Sequence, residues 1–587
     1  PSVFSHQILN AMPYAFLDDA PLEERRARAV ILRRALPDQS SDLGNLNPEA
    51  IQSAAEDAWP AARDREELHD ALLGLILFPE TEKSRFPAEA EQWFESLVED
   101  GRAARRFSND RVYWVAAERA ESIDVCRVVR GWVEVSGPLT PSGLARILGL
   151  DAGDVRSALA QLEGEGLVLR GQFTPQREEE EFCDRRILAR IHRATIAHLR
   201  REIEPVQASV LLRFLFSWQH LAAGSQLSGD HGILEAVEQL QGFEAAAAAW
   251  EDEILRARIR DYDPALLDNL CLAGEVVWGR WTRRATQAEV PARRPGLTRS
   301  ATLGLGIRED MQWLLDPAPP DEEALSVPAR NILAFLRKRG ASFFAEIKAG
   351  AGHLPSEVEE ALWQLVAAGL VTADAFGALR SLVNGDARRS ERSPRRRREP
   401  RLTREGRWSL LEPLGPVPEN LVELRARQFL RRYGVLLREL TAREPSAPPW
   451  RELLWVLRRA EARGEIRGGR FVAGYPGEQF ALPEAVDALR AIRRDDSQGH
   501  FLRISACDPL NLVGILTPGP RVAAVLGNRV IYRDGIPVAA IESGETRIIS
   551  HVEADERPVL ERLLDERPPS AFDPSRSARP KSLRNRL

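Results

Sequence analysis

Apolar positions recur at helical spacing up to a glycine, then give way to short alternating runs, and this change of period returns along the chain. In LCLAGEVVWGRWT (270–282) a helix-like apolar run ends at Gly274, β-branched residues follow, and Trp281 closes the segment. The same order stands in LVEDGRAARRFSN (97–109), LEGEGLVLRGQFT (162–174), LVAAGLVTADAFG (365–377) and AEARGEIRGGRFV (460–472). A glycine directly after a helix suits the left-handed C-cap position, and the strand, turn and strand that follow have hairpin composition. Helix, glycine and hairpin make the second half of a winged-helix module. The pattern therefore predicts a mainly α protein with short β wings: a tandem array of about five winged-helix modules followed by a small β-barrel.

Residues 1–62 form an N-terminal helical segment, with APLEERRARAVILRRAL (20–36) as its helix. Winged helix 1 spans 63–120 and winged helix 2 spans 121–182, where Gly137-Pro138 separates two helices and Asp151 caps a third. Winged helix 3 covers 183–295, opening with RRILARIHRATIAHLRREIE and closing with a helix capped by Asp263 that carries Pro264 in its first turn. Winged helix 4 runs over 320–384, with Ser356 and Glu359 in a capping-box pattern. The stretch 385–418 is arginine-rich and almost without apolar residues, so it reads as a disordered basic linker before winged helix 5 at 419–495. From 496 to 560 the period is that of strands, in FLRIS, LVGIL, RVAAVL and RVIYRDGIPVAAIE, with Asp534-Gly535 as a hairpin turn, and 561–587 reads as a basic tail.

Composition narrows the function classes. With 81 basic against 87 acidic residues and a net charge of −6, a nucleic-acid surface must come from local clustering. The four cysteines, Cys126, Cys183, Cys271 and Cys507, form no C-x-x-C pair, which argues against a zinc site or a disulfide framework and fits a reducing cytosol. The expectation is a cytoplasmic, nucleoid-associated protein without membrane contact, since no apolar run approaches eighteen residues. Pro1 in place of a methionine reads as the start of a fragment. There is no phosphate-cradling G-x-x-x-x-G-K-[ST] loop and no H-E-x-x-H pair, so neither ATP hydrolysis nor a metal is expected in this piece, and no cofactor is implied.

Reading DNA requires cations on a module's third helix or wing. The third helices of modules 1, 2 and 4 are acidic (Glu91, Glu95 and Glu99; Asp154 and Glu163; Glu357 and Glu360), and that of module 3 is apolar. Module 5 differs, with Arg451, Arg458 and Arg459 beside Trp450 and Trp455, and Arg467 and Arg470 on the wing. A second basic surface lies on the helix after residue 184, where Arg186, Arg190, Arg193 and Arg200 flank an apolar stripe. For each surface the alternative is a solvated basic face. The most suggestive polar stretch for chemistry is RISACDPLNLVGIL, where Asp508 could stabilise a cationic sugar or orient water, with Asn511 nearby; an Asp-Pro turn explains the same residues. Gln239 and Gln241 in EQLQG raise a similar thought against a plain helix-surface reading.

The segments YAFLDDAPLEERRARAV, CDRRILARIHRATIAHLRREIEP, LRFLFSWQHL, LCLAGEVVWGRW, GGRFVAGYPGEQFALPEAV and DPLNLVGILTPG resemble, in order and over nearly the whole chain, the C-terminal domain of the large helicase-related (Lhr) superfamily 2 DNA repair helicases. The resemblance implies the part that follows the ATPase core: tandem winged helices plus a β-barrel, forming a homotetramer, partnered by the N-terminal helicase core and by single-stranded or forked DNA. It extends to tandem winged-helix DNA glycosylases, which use a Q-x-D or Q-x-Q element; SACDPLNLV resembles the segment following such an element at Asp508, Pro509 and Asn511, with Ala506 where the glutamine would stand. It thus implies two expectations: an oligomerising, DNA-binding domain, and alternatively a uracil-DNA glycosylase that needs no metal, with Asp508 as its carboxylate.

Overall fold

A computed structural model describes residues 46–565 apart from 109, 121–123, 178, 202, 283–299, 318–320, 381–405, 414, 496–498 and 555. The helix expected at 20–36, the arginines at 395–398 and the tail beyond 565 lie outside the described residues. The chain divides into two compact units, Pro1–Glu202 and Ile203–Leu587.

In the first unit Asn47 caps α1 (Pro48–Ala58) by accepting from the Ala50 N–H at 3.0 Å. Module 1 follows as α2 (Arg65–Leu75), β1 (Phe78–Pro79), a 3₁₀ turn at Glu80–Arg85, α3 (Ala90–Glu99), β2 (Ala103–Ser108) and β3 (Arg111–Ala116), its sheet ordered β1-β3-β2. Trp114 stacks on Phe94 at 4.3 Å and seals sheet against helix. Module 2 comprises α4 (Val125–Val133), α5 (Pro141–Leu148), α6 (Ala152–Gly164) and the wing β4 (Val168–Gly171) with β5 (Glu181–Asp184). Asp151 caps α6 as the sequence predicts, accepting from Gly153 N–H at 2.7 Å. The next helix, α7 (Arg185–Arg201), was expected to open module 3. Instead its Ile187 and Ile191 pack with Ala50 and Ala54 of α1 in one small core, which places it in the first unit.

The second unit begins with α8 (Ala208–Trp218). Module 3 proper is α9 (Gly229–Leu240), β6 (Ala245–Ala246), a helical stretch over 247–258, α10 (Pro264–Ala273), β7 (Val276–Gly279) and β8 (Thr302–Ile307), with sheet order β6-β8-β7. Module 4 is α11 (Val327–Arg339), β9 (Ser342–Phe343), α12 (Phe344–Ala351), α13 (Pro355–Ala367), β10 (Val371–Ala373) and β11 (Arg407–Leu410). Strand β11 lies between β9 and β10 in the sheet and buries Trp408 in the core shared by modules 3 and 4. The arginine-rich segment therefore joins two strands of one wing, not two modules. The capping pattern also shifts by two residues: α13 starts after Leu354, whose N–H donates to Glu357 at 2.9 Å, and Ser356 lies inside the first turn.

Module 5 repeats the plan of module 1 as α14 (Leu421–Tyr433), β12 (Val435–Leu436), a 3₁₀ turn at Arg438–Arg443, α15 (Trp450–Ala462), β13 (Arg467–Gly469) and β14 (Gln479–Ala481). After α16 (Pro483–Arg494) comes an antiparallel sheet ordered β15 (Phe501–Ser505), β16 (Arg529–Arg533), β17 (Ile536–Glu542), β18 (Glu545–Ile548). Asp534 and Gly535 make the hairpin turn between β16 and β17, both at positive φ, 48° and 81°. No pairing of β15 with β18 closes this sheet into a barrel among the described residues. Two expected strands are absent as well. In LVGIL and RVAAVL, Leu512, Val513, Leu516 and Val522 are buried, but Gly514 and Gly519 take positive φ and Pro518 and Pro520 lack the N–H that a ladder needs.

The repeated glycine has one cause in all five modules. Gly101, Gly166, Gly274, Gly369 and Gly464 have φ of 72°, 73°, 80°, 68° and 76°. In each, the residue after the glycine donates back to the helix across six residues, as Glu275 N–H does to Leu270 C=O at 3.0 Å, and the glycine N–H donates to the carbonyl three residues before it. This is the Schellman closure, which satisfies two orphan carbonyls and turns the chain directly into the wing.

Candidate nucleic-acid interface

Helix α15 is amphipathic: Leu453, Val456 and Leu457 are buried, so Arg451, Trp455 and Arg458, at i, i+4 and i+7, share the outer face. Arg467 and Arg470, at the start of the wing, are exposed, and neither they nor Arg451 meet a carboxylate among the described residues. Arg458 donates to Glu478 at 2.7 Å. Arg459 pairs with Glu423 of α14, which also holds Arg463 at 2.9 Å and Arg427 at 3.0 Å. Burial alone would raise the Glu423 carboxyl, but Arg459 and Arg463 outweigh it and hold it below its ordinary value, so it stays ionised as the clamp of this cluster. The Arg459 guanidinium lies 4.8 Å over the Trp455 ring.

The basic face of α7 is partly engaged within the first unit. Arg190 pairs with Asp57 of α1 at 3.1 Å, and Arg193 Nε donates to the Ala189 carbonyl of its own helix at 3.2 Å. Arg186 and Arg193 are exposed and Arg200 is half-buried. Asp184 caps the helix through the N–H groups of Arg186 and Ile187, and its burial pushes its carboxyl above the ordinary range.

Asp508 and Asn511 lie inside the second unit. The Asp508 carboxylate is enclosed, gripped by Arg258 at 2.7 and 3.1 Å, and also accepts from Leu510 N–H at 2.9 Å. Arg258 is itself fully buried and donates further to Gln219 and to the Ile254 carbonyl. Asn511 is buried and donates to the carbonyls of Ala506 and Val522, which fastens the irregular loop. As placed, the buried Asp508 joins the end of α8, the stretch over 247–258 and the final sheet.

The glutamine pair departs from the helix-surface expectation. Both Gln239 and Gln241 are buried; Gln239 donates to Trp218 C=O at 2.8 Å, while Gln241 donates to Asp310 and to Gln428 and accepts from Ile307 N–H at 3.1 Å. Gln241 lines a small pocket with Trp313, Arg425, Gln428 and Arg432, where burial pushes the Arg425 guanidinium below its usual value. The sequence signal for this polar junction was the close glutamine pair itself; its partners are 69 and 187 residues away. Among the described residues no group of three or more His, Cys, Asp or Glu is arranged to hold a metal, and no helix is long and apolar enough to cross a membrane.

Family models described as large helicase-related protein, winged-helix domain, match residues 206–293 and 416–501, which carry most of module 3 and all of module 5. Over 94% of its length the chain is 29% identical to a Mycolicibacterium smegmatis protein described as Lhr helicase/probable uracil glycosylase. Over 90% it is 28% identical to the Escherichia coli Lhr helicase/uracil glycosylase. Both kinds of similarity point to the large helicase-related family. It spans about two fifths of the length of these Lhr relatives, 40% and 38%. One of the two Lhr winged-helix matches thus falls on the module with the basic, exposed third helix.

Proposed function

We propose that this Lhr region is a DNA-binding and assembly domain that accompanies a helicase motor, with module 5 as its principal DNA contact. The observation that carries the reading is that Arg451 on α15 and Arg467 and Arg470 on its wing are exposed in a module whose α15 also exposes Trp455. Cations so placed meet phosphates, and each phosphate neutralised releases counterions, so affinity falls with salt. The test is fluorescence anisotropy with labelled single-stranded, forked and duplex DNA across a salt series. Arg467→Glu with Arg470→Glu should weaken binding to all three and lower the salt slope by about one per lost phosphate contact. Unchanged affinity and slope would reject module 5. The α7 arginines enter as a secondary contact, with Arg186 and Arg193 exposed.

Assembly into a homotetramer is the second part of the proposal. It draws on the acidic third helices of modules 1, 2 and 4, which repel phosphate, and on large apolar side chains exposed on modules 1 and 4, Phe107, Val327, Phe343 and Leu354. Light scattering checks it: a strictly monomeric chain at micromolar concentration removes it.

Uracil excision is a second reading, favoured by the descriptions of both Lhr relatives. With Asp508 as its carboxylate it requires the Arg258 pair to open. Incubating the chain with single-stranded DNA carrying one uracil, without metal or ATP, and scoring alkali-labile sites decides it; activity retained in Asp508→Asn rejects that residue.

A further inference from the structure

We infer that Trp455 is a stacking platform for an unpaired base of single-stranded DNA. The proposal rests on module 5 being the DNA contact and adds what that face selects. Trp455 is 44% exposed in the middle of α15, although the helix has a full apolar face on which an indole could be buried. Its ring is not left loose. Arg459 covers it from 4.8 Å and is itself fixed by Glu423, so the indole is held while nearly half of the residue faces water. Arg451 precedes it by one turn and Arg458 follows by one, and Arg467 and Arg470 extend the positive field along the wing.

A flat, pinned, half-wet aromatic among exposed arginines is what a single strand needs: a π-face for the base and cations for the phosphates on either side. A duplex hides its base faces in the stack, so it can use the cations but not the ring. The site therefore distinguishes unpaired from paired DNA without reading sequence, because every base offers a π-face.

The test uses the whole chain and a thymine-rich oligonucleotide carrying one 2-aminopurine, single-stranded or annealed. Trp455→Leu keeps apolar bulk without an aromatic face, and Trp455→Phe keeps a ring. Losing one base stack should weaken single-strand binding of the Leu variant by about 5- to 150-fold and abolish quenching of the 2-aminopurine, with Phe retaining most of both. Duplex affinity should move by less than about twofold, and thermal unfolding should be unchanged, since the residue is half exposed. Unchanged single-strand affinity in Trp455→Leu, while Arg467→Glu with Arg470→Glu still weakens binding, overturns the stacking and leaves the basic face intact. Failure of both sets of variants overturns both readings. An equal loss for single strand and duplex also overturns the stacking.

Discussion

Replacing Asp508 by Asn changes one atom type inside a fully enclosed ion pair, and the structure fixes how much that should cost. Arg258 is buried and offers two N–H groups to the two carboxylate oxygens at 2.7 and 3.1 Å. In Asp508→Asn one oxygen becomes an NH₂ that faces a guanidinium donor, so one charge-assisted bond, worth roughly 1.5–3 kcal/mol, is lost outright. The guanidinium also loses its counter-charge in a fully buried site, and breaking a buried pair from one side typically costs about 3–5 kcal/mol in all. Against a typical domain stability of about 5–15 kcal/mol this is a large fraction. Removing both partners, in Arg258→Met with Asp508→Leu, should recover most of the loss, because no charge is left unpaired. Urea unfolding followed by tryptophan fluorescence, with hydrogen exchange over 501–533 to locate the effect, measures it. An Asp508→Asn variant within about 1 kcal/mol of the native chain would refute the reasoning and return Asp508 to the list of free carboxylates. The expected result has a practical edge: lost base excision in this variant means nothing for chemistry until its folding has been measured.

Other perturbations follow from the same coordinates. Arg380 pairs with enclosed Glu251 at 2.7 Å and with Asp268 at 2.5 Å, tying module 4 to module 3, so Arg380→Met should destabilise the second unit by about 3–5 kcal/mol in calorimetry. Burial pushes the Glu251 carboxyl above its ordinary 4.5, outweighing Arg380 and Tyr262. The folded state then holds that proton more tightly than the unfolded chain, so this group's contribution falls as pH rises from about 4.5 through the raised value; Glu251→Gln should flatten that part of the stability profile, and an unaltered slope counts against it. Gly274→Ala meets nothing nearer than Arg308 at 3.7 Å, so its cost is that of a left-handed φ alone, roughly 1–2 kcal/mol by thermal unfolding. Asp151→Ala removes the cap of α6 and should cost about 1 kcal/mol in the first unit, read by its hydrogen exchange.

What could be read in advance was what is local. The five glycines announce their C-caps because the required φ, the preceding helix and the following hairpin lie within about a dozen residues. Asp151 and Asp263 are legible for the same reason, each bonding an N–H two residues on. The wing of module 4 was not legible, because β10 pairs with β11 across more than thirty residues of polar sequence that carries no strand signal of its own. LVGIL and RVAAVL misled in the opposite direction: their apolar content reflects burial, while Gly514, Pro518, Gly519 and Pro520 prevent the ladder that such content suggests.

The candidate site follows the same division, with one more step. Arginine counts on α7 and α15 look alike in the sequence, so composition alone could not rank them. Acids from other elements reach both, Asp57 of α1 on Arg190 and Glu423 and Glu478 on Arg459, Arg463 and Arg458, so what sets α15 apart is the exposed Trp455 on the same face as Arg451 and Arg458. Those pairs stiffen one edge of the helix, while Arg451, Arg467, Arg470 and the Trp455 indole stay exposed. Asp508 shows the converse. Its partner Arg258 is 250 residues away in the chain, so a carboxylate that the sequence presents as available is, in the fold, the enclosed end of a buried pair. The chemistry open to a charged residue in this chain is therefore set by the opposite charge that the fold delivers to it. A module that exposes arginines receiving none, together with a fixed aromatic ring, is the place to look for DNA.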